Sequence, residues 1–461
     1  MAVSKYVSSG LLLFLDQMVF AGGNWFYWIT ISILSTPSEI GQTTAVYNLV
    51  ILVAVITQLG LEYPVLKRSS TKDTRILGTS LLIVLITTTS AIPLLFFMMD
   101  TMYEGSFRKF VTIATASLIF IALAFVSHFT LLGLSAVKNI LIIDTVGTAI
   151  KFVAGYALTI NGYGTYGLLL SFLFQAVFVA IICLILTIRI FGFRIGNLKY
   201  VWEIVREAAY NMPSKLSWLI LLNLGTVLLA VFGVPSSEIG IFYIALNISF
   251  AVGSFVLSMA QMAVPHSSIA KRDLSTVSIR IGLSFTAPLI GALIVSPKYI
   301  LSLIGAQYVL ADTTLIVLAI SIFPFSVMIN GISKLNYSSQ LRKLLLIGSI
   351  QILSFVAFFV FFTPQFGILG AAFSILIAYT ASCIPLIIWS EHALRMYIAK
   401  SGVAILTGST VGFLLGSLGY HEFSDITAIL ASVCTILIMT IALKNISPAE
   451  MKQMIKILIK K

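Results

Sequence analysis

Apolar residues in this chain come in long uninterrupted runs, not in the short amphipathic stripes of a soluble helix or the alternation of a half-buried strand. Ile76–Met99, Val111–Leu132 and Tyr166–Phe191 each reach the ~20 residues needed to cross a bilayer. Cutting the chain at glycines, prolines and charge clusters predicts fourteen such helices. The first six are Leu11–Leu34, Gly41–Leu66, Ile76–Met99, Val111–Leu132, Ile140–Ile160 and Tyr166–Phe191. The next six are Leu216–Val234, Ile239–Val264, Ile279–Val295, Val309–Ile332, Leu344–Phe362 and Phe366–Trp389. Ile398–Leu418 and Ile426–Leu443 complete the set. The first run is too long for a signal peptide and no small-residue cleavage site follows Leu11–Leu15, so it reads as an uncleaved span.

Composition excludes a water-soluble enzyme. The chain is 59% hydrophobic and 10% charged, against ~45–50% and ~25% in soluble domains. The net charge of +12 would suggest nucleic acid in a soluble chain, but here it reports topology. With a cytoplasmic N-terminus, 24 of the 28 basic residues fall on the inner side, only Arg108, Lys109 and Lys298 lie outside, and Lys151 sits within a span. A miscounted helix would invert every later loop and destroy that asymmetry, so both termini are expected in the cytoplasm and the chain in the cytoplasmic membrane. Cys183, Cys383 and Cys434 all lie in apolar runs without metal spacing and read as small core residues. The expected organisation is a six-helix half over 1–191, a basic cytoplasmic linker over 192–215, a second half over 216–390, two further helices over 391–446 and a tail over 447–461. In that tail Ser447-Pro448-Ala449-Glu450 forms a capping box, and Met451, Met454, Ile455, Leu458 and Ile459 share one face. Such a helix should lie on the inner surface, held by membrane lipid.

The chain echoes itself. Ser38-Glu39-Ile40-Gly41 recurs as Ser237-Glu238-Ile239-Gly240, an offset of 199 at which Asn48 also matches Asn247 and Glu62 matches Gln261. Gly164-Thr165-Tyr166-Gly167 and Ser171 return as Gly367-Ile368-Leu369-Gly370 and Ser374, an offset of 203. Six helices per copy is an even number, so the copies are parallel repeats related by an axis along the membrane normal, with the substrate path between them.

These turns carry a resemblance. Pro37-Ser38-Glu39-Ile40-Gly41, the helix ending at Gln58-Leu59-Gly60-Leu61, and Pro235-Ser236-Ser237-Glu238-Ile239-Gly240 come first. Leu303-Ile304-Gly305-Ala306-Gln307-Tyr308 and Phe366-Gly367-Ile368-Leu369-Gly370-Ala371-Ala372 complete it. Together they resemble the polysaccharide-transporter (Wzx-type) branch of the MOP superfamily, which also holds the MATE exporters and MurJ lipid II flippases. The resemblance spans about 8–389 and implies an all-α polytopic fold of fourteen helices. It also implies flipping of polyprenyl-diphosphate-linked oligosaccharide by alternating access, coupled to H+ or Na+, with glycan assembly enzymes as candidate partners. A MATE-type cation antiporter and a membrane glycosyltransferase or polymerase are the rivals, and the latter usually shows a larger outer loop or a clustered acid motif.

Ionisable residues inside spans cost ~2.5–3.5 kcal/mol on insertion scales and are functional candidates. Lys151, near the middle of the fifth span, either receives a diphosphate or pairs with a buried carboxylate; Asp144 shares its face, but ~10 Å of rise separates them. Asp16 in the first helix is an ion-coupling candidate, since MATE-like relatives often carry a first-helix carboxylate, or else an acid in a wet vestibule. Asp144 is the second ion-coupling candidate. Asn24, Asn48 and Asn247, with Gln175, Asn223 and Asn330, either line a sugar path or bond helix to helix. Trp25 in Trp25-Phe26-Tyr27-Trp28 offers a face for a sugar ring, and interfacial belts use the same residues. His128 reads as packing without a partner. No nucleotide loop, metal cluster or nucleophile–base set is present in the sequence, so neither cofactor nor ATP hydrolysis is expected.

Overall fold

The computed structural model describes Asp16, Val19, 22–70, 72–101, 107–134, 136–270, 275–338, 340–418 and 424–443. The amphipathic tail lies outside these residues. Among them the chain is helical, with no strand. A helix over 22–34 (α1) is followed by α2 (Pro37–Thr57), α3 (Glu62–Ser70), α4 (Arg75–Thr101), α5 (Val111–Gly133), α6 (Val137–Ile160), α7 (Gly164–Phe191), α8 (Leu198–Val231) and α9 (Ser236–Ala270). Then come α10 (Ser275–Val295), α11 (Pro297–Ser302), a 3-10 turn (Ala306–Ala311), α12 (Asp312–Tyr337), α13 (Leu341–Ile388), α14 (His392–Leu418) and α15 (Ser424–Ala442).

The breaks between helices have local causes. At the start of α2 the Thr36 hydroxyl accepts from the Glu39 amide at 3.3 Å while the Glu39 carboxylate accepts from the Thr36 amide at 2.9 Å, closing a capping box with Pro37 at the first position. Gly192 ends α7 at φ 86, a left-handed geometry that favours glycine. Gly367 at φ 53, ψ −130 divides α13 into two helices.

Among the described residues, eleven helical segments are long and apolar enough to cross a membrane. Three further expected spans are helical but fall outside that count: the second part of α13 beyond Gly367, α1 and the latter part of α8. The architecture is therefore consistent with fourteen spans. Outward-facing apolar side chains such as Phe97 (67% exposed), Val153 (65%) and Leu353 (69%) would be untenable in water at this density. This is a multi-pass membrane protein.

The chain forms two compact units, 1–244 and 245–461. Within the first, α8 packs along α2. Gly60, at φ 80, lies against the backbone of Ala208 and Met212, and Asn48 donates to the Thr226 hydroxyl at 2.6 Å. Where these helices end, two first turns cross. A Cβ on Gly41 would overlap the Ser236 carbonyl, and a Cβ on Gly240 would overlap the Pro37 carbonyl. Residues that correspond at the 199 offset thus exchange contacts reciprocally, as segments related by a two-fold axis would. Within the second unit α14 and α15 meet through small residues: Gly408, Gly412 and Gly416 sit on Ala428, Ser432 and Ile436. Close backbone approach of this kind is how helices associate without a hydrophobic driving force. Cys183 and Cys383 are buried, but Cys434 is exposed. An apolar run in a membrane helix has an outer as well as an inner face, which corrects the expectation that all three are core residues.

Candidate functional site

The ionisable side chains expected inside spans lie in the first unit: Asp16 ahead of α1, and Asp144 and Lys151 on α6, with His128 on α5. Lys151 on α6 is 1% exposed, and its ammonium donates to the Asn24 side-chain oxygen of α1. The same nitrogen lies 4.7 Å from the centre of the Tyr27 ring and 5.1 Å from that of Phe172. Among the described residues no carboxylate pairs with it. A cation over aromatic faces is held by the negative ring faces without being neutralised, so Lys151 is solvated by neutral groups. Lys151 and Asn24 are thus brought together. The carboxylate-pair alternative for Lys151 is not what the structure adopts.

The aromatic cage has its own scaffold. The Tyr27 hydroxyl bonds to Ser171 at 2.8 Å, and because Ser171 spends its own proton on the Leu168 carbonyl at 2.7 Å, Tyr27 is the donor. Phe172 stacks on Tyr47 at 4.0 Å and meets Tyr27 edge-on at 5.5 Å. Trp28 packs on Tyr243 at 4.9 Å. Of the four adjacent aromatics, Tyr27 and Trp28 are therefore buried, whereas Trp25 is half-buried and touches the exposed Phe26 ring edge-on at 5.2 Å. The structure does not place Trp25 in the cage. Consecutive helical residues point about 100° apart, so a four-residue aromatic run cannot face one site.

Asp144, two turns from Lys151 on the same face of α6, meets His128 of α5 instead: its carboxylate oxygen lies 3.7 Å from Nδ1. His128 therefore has a carboxyl partner, correcting the reading of it as packing. Asp16 is buried, has one carboxylate oxygen without a hydrogen-bond partner among the described residues, and lies within electrostatic reach of both Asp144 and His128. Asp16 and Asp144 thus form one acidic cluster with a histidine, a junction that neither sequence separation nor helical spacing revealed. Asp144 and His128 line a cavity of about 330 Å³ together with Tyr47, Gln58, Phe125 and Gln175 among others. Phe172 stands in the cavity wall and is also one of the rings beside Lys151.

The remaining amides divide. Gln175 faces the cavity, Asn48 is committed to Thr226, and buried Asn330 donates to the Ser326 carbonyl at 2.8 Å. Asn247 belongs to the second unit, and the Asn223 side chain lies outside the described residues. Among the described residues, no cluster of His, Cys, Asp and Glu has the form of a metal site. The second unit holds a larger cavity, about 610 Å³, between α10, α12, α13 and α14. Its walls are almost wholly apolar, for example Ile290, Phe323, Leu376, Ile384, Leu406 and Phe413.

No protein family model matches this sequence, and no curated protein matches it. Solved structures do. The lipid II flippase MurJ in an inward closed conformation aligns with a TM-score of 0.70 at 13% identity, covering 94% of this chain and 98% of that one. An inward-facing multidrug resistance MATE family transporter of the MOP superfamily aligns at 0.60 and 16% identity, over 84% and 96%. A mutant of the Vibrio cholerae MATE transporter VcmN aligns at 0.58 and 11%, over 86% and 97%. At such identities the likeness speaks for architecture: this chain has the fold shared by MATE transporters and the MurJ flippase.

Proposed function

We propose that this chain is a flippase that carries polyprenyl-diphosphate-linked oligosaccharide across the cytoplasmic membrane by alternating access between two parallel six-helix repeats. One observation carries the reading. Lys151 holds its amine inside a spanning bundle on neutral partners alone, an arrangement costly for stability and apt for meeting an anion. A diphosphate head cannot cross hydrocarbon unaided and needs a partly cationic path. In this conformation the ammonium is closed off, so its contact with a diphosphate requires Tyr27 and Phe172 to part. Gln175, which faces the cavity, is the amide placed to meet sugar hydroxyls, and Asp16, Asp144 and His128 form the group through which H+ or Na+ would be coupled. The apolar cavity of the second unit suits a polyprenyl chain rather than a polar head.

The experiment measures translocation of such a glycolipid in proteoliposomes, with melting temperature on the same purified variants. Lys151→Met, which keeps volume without charge, should fold and lose translocation; Lys151→Arg should retain part of it. Full transport by a stable Lys151→Met protein would eliminate the diphosphate role.

A second reading has its own support. The 330 Å³ cavity joins an acidic group to aromatic walls, which suits an organic cation. Proton-driven uptake of tetraphenylphosphonium, abolished by Asp144→Asn while glycolipid stays on its own side, would favour a MATE-type antiporter.

A further inference from the structure

The segment that follows α7 does not run free. Gly192–Asn197 and the first turns of α8 lie across the ends of α2 and α4. Gly78, in the first turn of α4, is in contact with the Arg194 carbonyl, and the Gly196 amide donates to the Thr79 hydroxyl at 2.9 Å. Tyr200 then sits between two guanidinium groups, 4.8 Å from Arg68 and 4.5 Å from Arg75, and its hydroxyl donates to Asp73 at 2.8 Å. Arg68 holds Glu207 at 2.6 Å. Further along, Ala208 reaches Gly60, where α2 ends. One face of this stretch, Tyr200, Ile204 and Ala208, is buried with Leu61, Val65 and Leu77.

The opposite face is apolar and uncovered. Leu198 is 85% exposed and Trp202 70%, and exposed Ala209 follows at position i+11 of the same stripe, while Val205 is half-buried against the core. Phe193 and Ile195 before the helix are also exposed. Arg194, Lys199 and Arg206 flank the stripe, exposed and without an ion pair among the described residues, while Glu203 acts on Arg75. Both ends of the stretch are tied to residues where spanning helices end or begin, so the stripe lies level with the bilayer surface.

We infer that residues 193–209, a short non-helical segment and the first turns of α8, form a surface element that docks on the headgroup layer of the leaflet at which α2 ends. Leu198 and Trp202 enter the acyl boundary, and Arg194, Lys199 and Arg206 bind anionic phospholipid. Charge complementarity, three exposed cations around an exposed apolar stripe at the level where spanning helices end, selects lipid over a protein partner. The Tyr200 clasp makes this element a rigid extension of the first unit, fixing that unit's tilt against the membrane plane.

The test uses the full chain in nanodiscs of phosphatidylcholine with or without phosphatidylglycerol. In a Cys434→Ser background, where Cys183 and Cys383 are buried, nitroxide is attached at Leu198→Cys or Trp202→Cys. Both labels should be more accessible to oxygen than to a soluble nickel chelate, at a depth of ~5–10 Å. Phosphatidylglycerol should deepen them, and Arg194→Gln/Lys199→Gln/Arg206→Gln should abolish that response. Quenching of Trp202 by brominated lipid, taken as wild type minus Trp202→Phe, gives the same answer without a label. Nickel-accessible labels would overturn the inference, and so would labels hidden from both reagents, since a protein would then cover this face.

Discussion

At the scale of single residues, the cage around Lys151 separates electrostatics from packing. Tyr27→Phe keeps the ring above the ammonium and loses only the bond to Ser171, so the loss should be about 0.5–1.5 kcal/mol. Tyr27→Ala removes a fully buried ring as well and should cost about 3–5 kcal/mol. Melting temperatures in detergent should fall in that order, and a Tyr27→Phe protein as unstable as Tyr27→Ala would show that the hydroxyl, not the ring, holds the site. Asn24→Leu removes the amide oxygen that accepts from Lys151 and leaves a buried ammonium with rings alone. It should destabilise more than Asn48→Leu, whose neutral partner Thr226 retains less to lose. The reverse order would mean that Lys151 carries no charge when buried.

At the scale of elements, the crossing of α2 with α9 predicts non-additivity. Gly41→Ala and Gly240→Ala each drive a methyl into the other segment's carbonyl, an overpacking of about 1–3 kcal/mol. Either change alone must push the two first turns apart, after which the second meets opened space. The double variant should therefore cost clearly less than the sum, which a double-mutant cycle on melting temperature measures. Strict additivity would refute the shared contact. The Tyr200 clasp gives a pH prediction. Hydrogen bonds from Arg75 hold the Asp73 carboxyl down from its usual 3.8 to about 2. A lowered value stabilises the folded state wherever the group is ionised in both states, that is above 3.8, and the contribution disappears as pH falls through about 2. The melting-temperature gap between wild type and Asp73→Asn should thus be constant near neutrality and close only in that acid window. A gap that closes at pH 6 would assign it to another group.

At the scale of the whole molecule, charge asymmetry and fold bear on different questions. The fourteen-span assignment puts 24 of the 28 basic residues on one side, and it predicts that reporter fusions after Lys461 and within 162–165 read cytoplasmic and external respectively. A C-terminus on the outer side would refute the span count. The fold, matched over 94% of the chain by the MurJ structure, is compatible with lipid or drug cargo, because function on a shared scaffold resides in its sites. Here the chemistry gathers within the first unit: a buried lysine on neutral partners, and an acid–histidine pair on a cavity that Phe172 also lines. The second unit offers an apolar cavity in place of a charged one.

Residue order alone determines the helices, because a run of about twenty apolar residues has only one low-energy state in hydrocarbon, with every backbone group bonded within its own segment. The same holds for the turns: Thr36, Pro37 and Glu39 cap α2 through neighbours three residues away, and Gly192 and Gly367 break helices by their own backbone freedom. The clustering of ionisable residues on a few spans was legible too, since each had to stand out against apolar sequence. Their partners were not. Lys151 meets Asn24 across 127 residues, His128 and Asp144 come from different helices, and Tyr27 rather than Trp25 turns inward. Those pairings depend on the rotation of each helix about its axis, which hydropathy leaves free and only packing against neighbouring helices fixes. The linker is the same case: its basic composition was visible, but its two faces became distinct only when Tyr200, Ile204 and Ala208 were buried beneath it and Leu198 and Trp202 were left outside.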